Sequence, residues 1–183
     1  MRKLTLHKLF KHFFLVNKHR ALVFKFSCFA GIPFRGLVHD LSKYSKEEFF
    51  ESAAYYIGNG SPITECKNDI GYSLAWLHHK GRNKHHFEYW YDQDVLEENM
   101  PLIPFNIFCE MVCDMLSAGI SYNGKNWNTS TQINYWNRNN KNIKMNSKIR
   151  DCFTEVFEQV ARNGIYQTIK RKNLKNIYTN KVI

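Results

Sequence analysis

The apolar residues of this chain recur mostly at the spacing of amphipathic helices. Over residues 15–26 they return every three or four positions, which predicts a helix that ends near Pro33. A clearer stripe runs from Ser147 to Asn163 and is followed by Gly164, a residue that commonly ends helices. No convincing pair of alternating strands is visible, so the pattern predicts an all-α protein.

Shorter helices are predicted between these two. Ser45 followed by Glu48 is a capping-box pattern, which indicates a helix start at that serine. The remaining predictions are a short helix over 37–43, a loop over 58–62, a helix over about 69–81, a short helix from about His85, a helix opened by Pro101 and Pro104 that runs to Ser117 before Gly119, and a long irregular loop over 122–142.

Length and composition favour one globular domain. The chain has 183 residues, enough for a sizeable core, and 44% of them are hydrophobic, which excludes a disordered protein. We predict a single helical bundle around a metal cleft over 1–164, followed by a basic C-terminal tail over 165–183.

The net charge of +10 is unevenly distributed. Residues 1–50 carry ten Lys/Arg against three Asp/Glu, residues 51–117 carry four against ten, and residues 118–183 carry twelve against three. An acidic middle with basic flanks suits a cation site that receives an anionic substrate. The alternative is that the basic ends only keep the protein in solution.

The five cysteines and the hydropathy indicate a compartment. The number of cysteines is odd and no CxxC occurs. This pattern predicts a reducing environment and no disulfide framework. No stretch of about 18 uncharged residues exists that would span a membrane. We therefore expect a cytoplasmic protein with no membrane partner.

Histidine is the residue type that most suggests chemistry here. Four of the eight histidines lie within nine residues, as the pairs His78-His79 and His85-His86. Histidine is the commonest side-chain ligand of transition metals, so these pairs indicate a metal centre. The sequence does not decide which member of each pair binds; the alternative is a solvated basic loop. Glu88 is a candidate hydrogen-bond partner of a ligand.

Further candidate ligands lie on both sides of these pairs. His19 falls on the apolar face of its helix, where a hydrogen-bonded core histidine is the alternative. His39 and Asp40 are adjacent, and on a helix such side chains point about 100° apart, so both can hold one ion or the aspartate can bridge two.

Two carboxylates support the same centre. Glu110 and Asp114 are four residues apart in a helix whose other positions are nearly all apolar. A buried carboxylate needs a partner or a metal, unless the two occupy the exposed face of that helix.

The order of these residues resembles a known superfamily. His19, His39-Asp40, the later histidines and Asp114 are similar to the H…HD…D pattern of HD-domain metal-dependent phosphohydrolases, and the intervening histidines resemble their two-metal members, the cyclic-nucleotide phosphodiesterases and HD-GYP proteins. HDLSK at 39–43 is similar to the HD-x-x-K of HD-GYP proteins, although no GYP motif is present and the histidine pairs lie only seven residues apart. The segments GLVHDLSKYSKEEF and WLHHKGRNKHHFEYW also look like a small uncharacterised family from bacteria and their phages, which implies a bacterial or phage-infected cell.

The HD resemblance implies a hydrolase with one or two divalent ions (Mn, Fe, Ni, Zn or Mg). It acts on a nucleotide or cyclic oligonucleotide through metal-activated water. Asp40 and Lys43 are the catalytic candidates. The candidate metal ligands are His19, His39, Asp40, His78, His79, His85, His86 and Asp114; Glu88 and Glu110 would support them, and Lys43, Lys80, Arg82 and Asn83 would bind the anionic substrate.

Two other functions remain open at this point. Some HD-fold proteins with a similar ligand set hold two irons and act as oxygenases. The second alternative is a binding module without catalysis. In it the basic C-terminal third binds nucleic acid or an acidic partner through residues that include Lys170, Arg171, Lys172 and Lys175.

Overall fold

Helices build the part of the chain that the computed structural model describes, residues 2–58 and 60–183, and no strand occurs there. The predicted all-α class is confirmed. Asn59, in the predicted 58–62 loop, lies outside the described residues. The helices are α1 (Leu6–Phe29), α2 (Pro33–Val38), α3 (Lys46–Ala54), α4 (Pro62–Ile70), α5 (Leu74–Arg82), α6 (Phe105–Asn123), α7 (Thr129–Asn139), α8 (Ser147–Asn163), α9 (Ile165–Thr168) and α10 (Arg171–Val182).

Helices α6 and α8 form the centre of the main core. The apolar stripe predicted for α8 is buried, from Ile149 through Phe153 and Phe157 to Val160. Helix α7 packs along α8, and α1 crosses α6. None of the described helices is both long and apolar enough to cross a membrane.

Helix α1 places one histidine-bearing face against the body of the molecule. Its buried residues recur every three or four positions, which is the spacing of a single helical face. The side chain of Thr5 caps the helix by accepting from the backbone N–H of Lys8. The buried residues are His12, Val16, His19, Val23, Phe26 and Ser27.

The helix predicted over 37–43 is broken at the His-Asp pair. Helix α2 ends at Val38, Asp40 takes a left-handed backbone conformation (φ 58°, ψ 24°), and a 3₁₀ turn follows over Leu41–Tyr44. The guanidinium of Arg20 donates to the backbone oxygens of Leu37 (2.9 Å) and His39 (2.8 Å). Because a continuing helix would need the Leu37 oxygen, this side chain stabilises the break.

The prediction of one helix over 69–81 is also wrong, because this segment contains the end of α4 and most of α5. Helix α4 ends at Ile70, and Gly71 is left-handed (φ 85°), which is a common way to end a helix. Helix α5 then starts afresh behind Ser73, whose hydroxyl accepts from the N–H of Trp76. The short helix expected from about His85 is only a 3₁₀ turn, Phe87–Tyr89.

The long loop predicted over 122–142 contains helix α7. Asn128 and Thr131 form its capping box, and the buried Trp136 donates from Nε1 to the hydroxyl of Thr154 (2.8 Å). Gly119 does not stop α6. A Cβ at that position would lie 2.7 Å from Oε1 of Gln132, so the missing side chain lets α7 approach.

The segment expected to be a basic tail, 165–183, forms α9 and α10 and joins the core. Ile169 and Leu174 are fully buried in the main cluster of apolar residues. The hydroxyl of Tyr178 donates to the backbone oxygen of Ile103 (2.7 Å). The basic side chains of this segment therefore lie on helices that are held by apolar contacts.

Candidate metal centre

Four parts of the fold converge on one buried cluster of histidines and carboxylates. Helix α1 supplies one histidine, the break after α2 supplies the His-Asp pair, and α5 with the turn after it supplies three histidines. Helix α6 supplies the remaining aspartate. The cluster consists of His19, His39, Asp40, His79, His85, His86 and Asp114.

Asp40 lies at the middle of the cluster and is 1% exposed. Its Oδ2 atom is 3.4 Å from Nε2 of His19 and 3.3 Å from Nε2 of His39. Its Oδ1 atom is 3.3 Å from Nε2 of His79 and 3.1 Å from Nε2 of His85. The two oxygens of one carboxylate therefore face two different pairs of imidazoles.

Each pair is completed by a further residue. Oδ1 of Asp114 lies 3.1 Å from Nε2 of His19 and 3.7 Å from Nε2 of His39. On the other side, one donor atom each of Asp40, His79, His85 and His86 lies within 4.8 Å of the others. Both groups have the size and donor types of a site for a transition-metal ion.

The imidazole nitrogens that face the cluster have no hydrogen-bond partner among the described residues. A buried polar atom without a partner costs about 1–3 kcal/mol, so five of them in one place require an explanation. A cation at the centre would provide it. These atoms are Nε2 of His19, His39, His79, His85 and His86.

Two buried glutamates hold the ligand histidines from behind. Glu48 accepts from Nδ1 of both His78 and His79, each at 2.7 Å. Oε1 of Glu110 lies 3.0 Å from Nδ1 of His39 and 3.3 Å from Nδ1 of His85. Since a carboxylate can only accept, these contacts place the proton on Nδ1 and leave Nε2 of His39, His79 and His85 free for a cation.

The cluster carries more negative than positive fixed charge. Its two carboxylates, Asp40 and Asp114, and those of Glu48 and Glu110 make four, and the permanent cations that contact them are Lys43 and Arg35. Burial opposes ionisation of Glu110, but hydrogen bonds from His39 and His85 lower its pKa to about 2. Burial likewise opposes the charge on Asp40, and the neighbouring His39 and Lys43 hold its pKa well below the usual range.

The carboxylates also affect the proton affinity of His39. Burial lowers the pKa of His39, yet the carboxylates around it, Asp40 first, raise that pKa well above the ordinary value. An imidazolium at this position supplies positive charge that the carboxylates require. A divalent ion would do the same and displace the proton.

Lys43, predicted to contact substrate phosphate, lies at the edge of the cluster. Its Nζ atom is 2.6 Å from Oδ2 of Asp40, and its side chain is 30% exposed. Burial lowers and Asp40 raises the pKa of this ammonium, with a net upward shift, so it stays charged.

Other predicted residues lie away from the cluster or have a different partner. His78, predicted as a ligand, binds Glu48 and belongs to none of the groups that could hold an ion. Arg82 and Glu88 are exposed, and Lys80 is half-buried. Asn83 donates to the hydroxyl of Ser42 (3.1 Å) and to the backbone oxygen of His79 (2.9 Å), which fixes the end of α5.

Two supporting residues were not predicted. Glu48 was assigned only to a capping box; Ser45 does accept from its backbone N–H, but the carboxylate points to the histidines. Arg35 donates from Nε to Oε2 of Glu110 at 2.7 Å. The sequence signal for Glu48 was weak, because nothing in the local pattern shows that α3 faces α5.

Comparison with known proteins gives a family and no activity. A family model matches residues 8–169: Family of unknown function (DUF5662). No curated protein and no solved structure matches the chain. The resemblance to HD-domain proteins therefore stays a prediction.

Proposed function

The chain belongs to DUF5662, a family of unknown function, and we propose from its own geometry that it is a metal-dependent phosphohydrolase with two divalent ions that share Asp40. The main support for this proposal is the position of the Asp40 carboxylate. Each of its oxygens faces a separate pair of unpartnered imidazole nitrogens.

The donor atoms indicate which ions fit. His19, His39 and Asp114 would hold one ion with Asp40. The second would be held by Asp40 together with His79, His85 and His86. Sites rich in imidazole favour Mn, Fe, Ni or Zn over Mg, which prefers oxygen donors.

The chemistry follows from the ions and from one lysine. Paired ions would supply Lewis-acid stabilisation of a phosphate and a water molecule of lowered pKa. In hydrolysis the oxygen of water bonds to phosphorus, the ester P–O bond breaks, and the proton that the water loses ends on the departing alkoxide oxygen to give the alcohol. Lys43, charged and partly exposed beside Asp40, would hold a phosphate oxygen and offset its negative charge.

The substrate class we propose is a nucleotide or a cyclic nucleotide. A phosphate group supplies the anion that such ions and Lys43 would bind. A cavity that reaches the cluster is lined by His19, Lys43 and Asp114, so a small molecule has access to it.

Elemental analysis tests the shared carboxylate. Wild-type protein reconstituted with Mn or Zn should hold about two equivalents, as two-metal sites do. Asp40→Asn should lose both ions together, along with hydrolysis of p-nitrophenyl phosphate and bis(p-nitrophenyl) phosphate. Asp151→Asn, at an exposed aspartate on α8, is the matched control and should keep both. Retention of one full equivalent in Asp40→Asn would contradict a bridging role.

The same preparation separates the other functions. Oxygen consumption by the iron-loaded protein without phosphoester hydrolysis would replace the hydrolase by a di-iron oxygenase. Absence of bound metal after reconstitution, with nucleic-acid binding that weakens steeply with salt and survives chelator, would instead identify a binding module.

A further inference from the structure

A buried histidine near the cluster has no role in the proposed chemistry. His12 lies on the same face of α1 as His19 and is 5% exposed. Its Nδ1 atom has no hydrogen-bond partner among the described residues. Both histidines line one cavity of about 160 Å³.

The helix sets the length of this cavity. His12 precedes His19 by seven residues, which on an α-helix is two turns and about 10 Å along the axis. The cavity therefore reaches along about two turns of α1, from His19 in the metal cluster to His12.

The walls between the two ends are mostly apolar. The charged residues that line the cavity are Lys43, Glu48 and Asp114, and all three belong to the cluster or its support. No other Asp, Glu, Lys or Arg among the described residues lines it. The other walls include Leu15, Val16, Ile63, Trp76 and Ala118.

His12 is a neutral hydrogen-bonding group. Burial, with a smaller effect of the charge on Lys43, lowers its pKa to about 4. At neutral pH its ring therefore offers one N–H donor and one nitrogen acceptor. Phe49 packs against it with its ring centroid 5.2 Å away, and that side chain offers no hydrogen bond.

We propose that this cavity binds the uncharged organic part of a phosphomonoester and that His12 hydrogen-bonds a polar group of it, about 10 Å from the phosphate. The inference rests on the proposed function, because the cluster would hold the phosphate. It narrows the substrate to the monophosphate of an uncharged alcohol.

Substitution of His12 tests the inference by kinetics. The metal-loaded protein is assayed with the 5′-monophosphates of thymidine, uridine, adenosine and guanosine, and with methyl phosphate. His12→Phe keeps an aromatic ring but removes the hydrogen bond, so KM for the best nucleotide should rise about tenfold, the effect of one neutral hydrogen bond, at nearly constant kcat. Methyl phosphate should be unaffected.

Two further variants separate binding from folding. His12→Asn places a polar atom near the original Nδ1, so its KM should lie close to the wild-type value. His7→Phe is the matched control, since His7 is an exposed histidine on the same helix, and should change nothing. If His12→Phe lowers the melting temperature but leaves KM for every nucleotide unchanged, His12 is structural and the inference is wrong.

A binding measurement is independent of turnover. The imidazole ¹⁵N resonances of His12 should shift when uridine, thymidine, adenosine or guanosine is added without phosphate, and should stay fixed with methyl phosphate. No shift with any of the four nucleosides would overturn the inference even if p-nitrophenyl phosphate is hydrolysed. Shifts without any hydrolysis would support the cavity and reject the phosphohydrolase.

Discussion

Asp40 has to satisfy two requirements at one position. Its backbone is left-handed, a conformation that costs most residues about 1–2 kcal/mol and that glycine, asparagine and aspartate tolerate best. Its side chain has to present two oxygens to two sets of imidazoles. Glycine lacks the oxygens and asparagine has only one, so aspartate alone meets both requirements.

The backbone requirement can be measured apart from the metal. Asp40→Gly and Asp40→Ala both remove the carboxylate, but only glycine adopts positive φ without strain. We expect Asp40→Gly to be more stable than Asp40→Ala by about 1 kcal/mol in urea denaturation with chelator present. If residue 40 lay inside a continuous helix, the alanine variant would instead be the more stable of the two, by a similar free energy of unfolding. A more stable alanine variant would therefore contradict the break at this residue.

Much of the cluster could be predicted from residue types alone. His19, His39, Asp40 and Asp114 were singled out by order and by apolar surroundings, and the structure brings them together. The sequence could not identify which of His78 and His79 faces the cluster, because the phase of α5 depends on its start; of the second pair, both His85 and His86 lie in the cluster. Gly71 and Ser73 move that start to Leu74, which turns His79 inward and His78 toward the edge.

At the scale of elements, the contact between α1 and α2 positions half of the site. Helix α2 carries Arg35 and is followed directly by His39, and both of these residues contact Glu110. Gly36 makes the close contact possible. A Cβ there would lie 3.0 Å from Cα of Phe24 and closer still to Cβ of Ser27.

Gly36→Ala should therefore separate the two helices. We expect a loss of about 1–3 kcal/mol, the range for overpacking a buried contact, in thermal or urea unfolding. Metal content at limiting ion concentration should fall as well, since His39 moves with α2. Gly81→Ala is the matched control, because a Cβ there meets nothing within 4 Å and the residue lies in α5. That variant should be stabilised by about 0.5–1 kcal/mol.

Helix α7 shows why periodicity misses some elements. Most of its residues are Asn, Thr, Ser and other polar types, which also form loops. Its stability comes from the capping box and from burial of Trp136 against α8. The burial depends on tertiary packing and the capping box alone does not distinguish a helix from a polar loop, whereas α8 could be predicted because its own sequence encodes an apolar stripe.

At the scale of the whole molecule, the C-terminal segment contacts the turn between α1 and α2 and the start of α6. Arg171 donates to the backbone oxygens of Ala30 (3.3 Å) and Gly31 (3.1 Å), at the turn between α1 and α2. It also donates to Oδ1 of Asn106 at 3.1 Å. The segment that follows Gly164 is thus connected to the elements that carry the metal ligands.

Removal of that segment should unfold the protein or nearly so. A chain that ends at Gly164 loses Ile169 and Leu174, and burial of two such side chains contributes about 3–6 kcal/mol, a large part of a typical stability of about 5–15 kcal/mol. Circular dichroism and thermal melting would show it. A chain that ends at Val182 keeps both residues and loses only the 95% exposed Ile183, so it should melt close to wild type. A cooperative, wild-type-like melt of the shorter chain would show that the segment is dispensable.

The unbalanced charge of the cluster has a consequence for the protein inside a cell. An ion that binds only the folded chain adds to its stability in proportion to the logarithm of free ion over Kd. Molecules made during ion scarcity would open more often and be degraded sooner by proteases, which act on the unfolded fraction. The steady-state abundance of this protein would then follow the local supply of its ion, without any change in its synthesis.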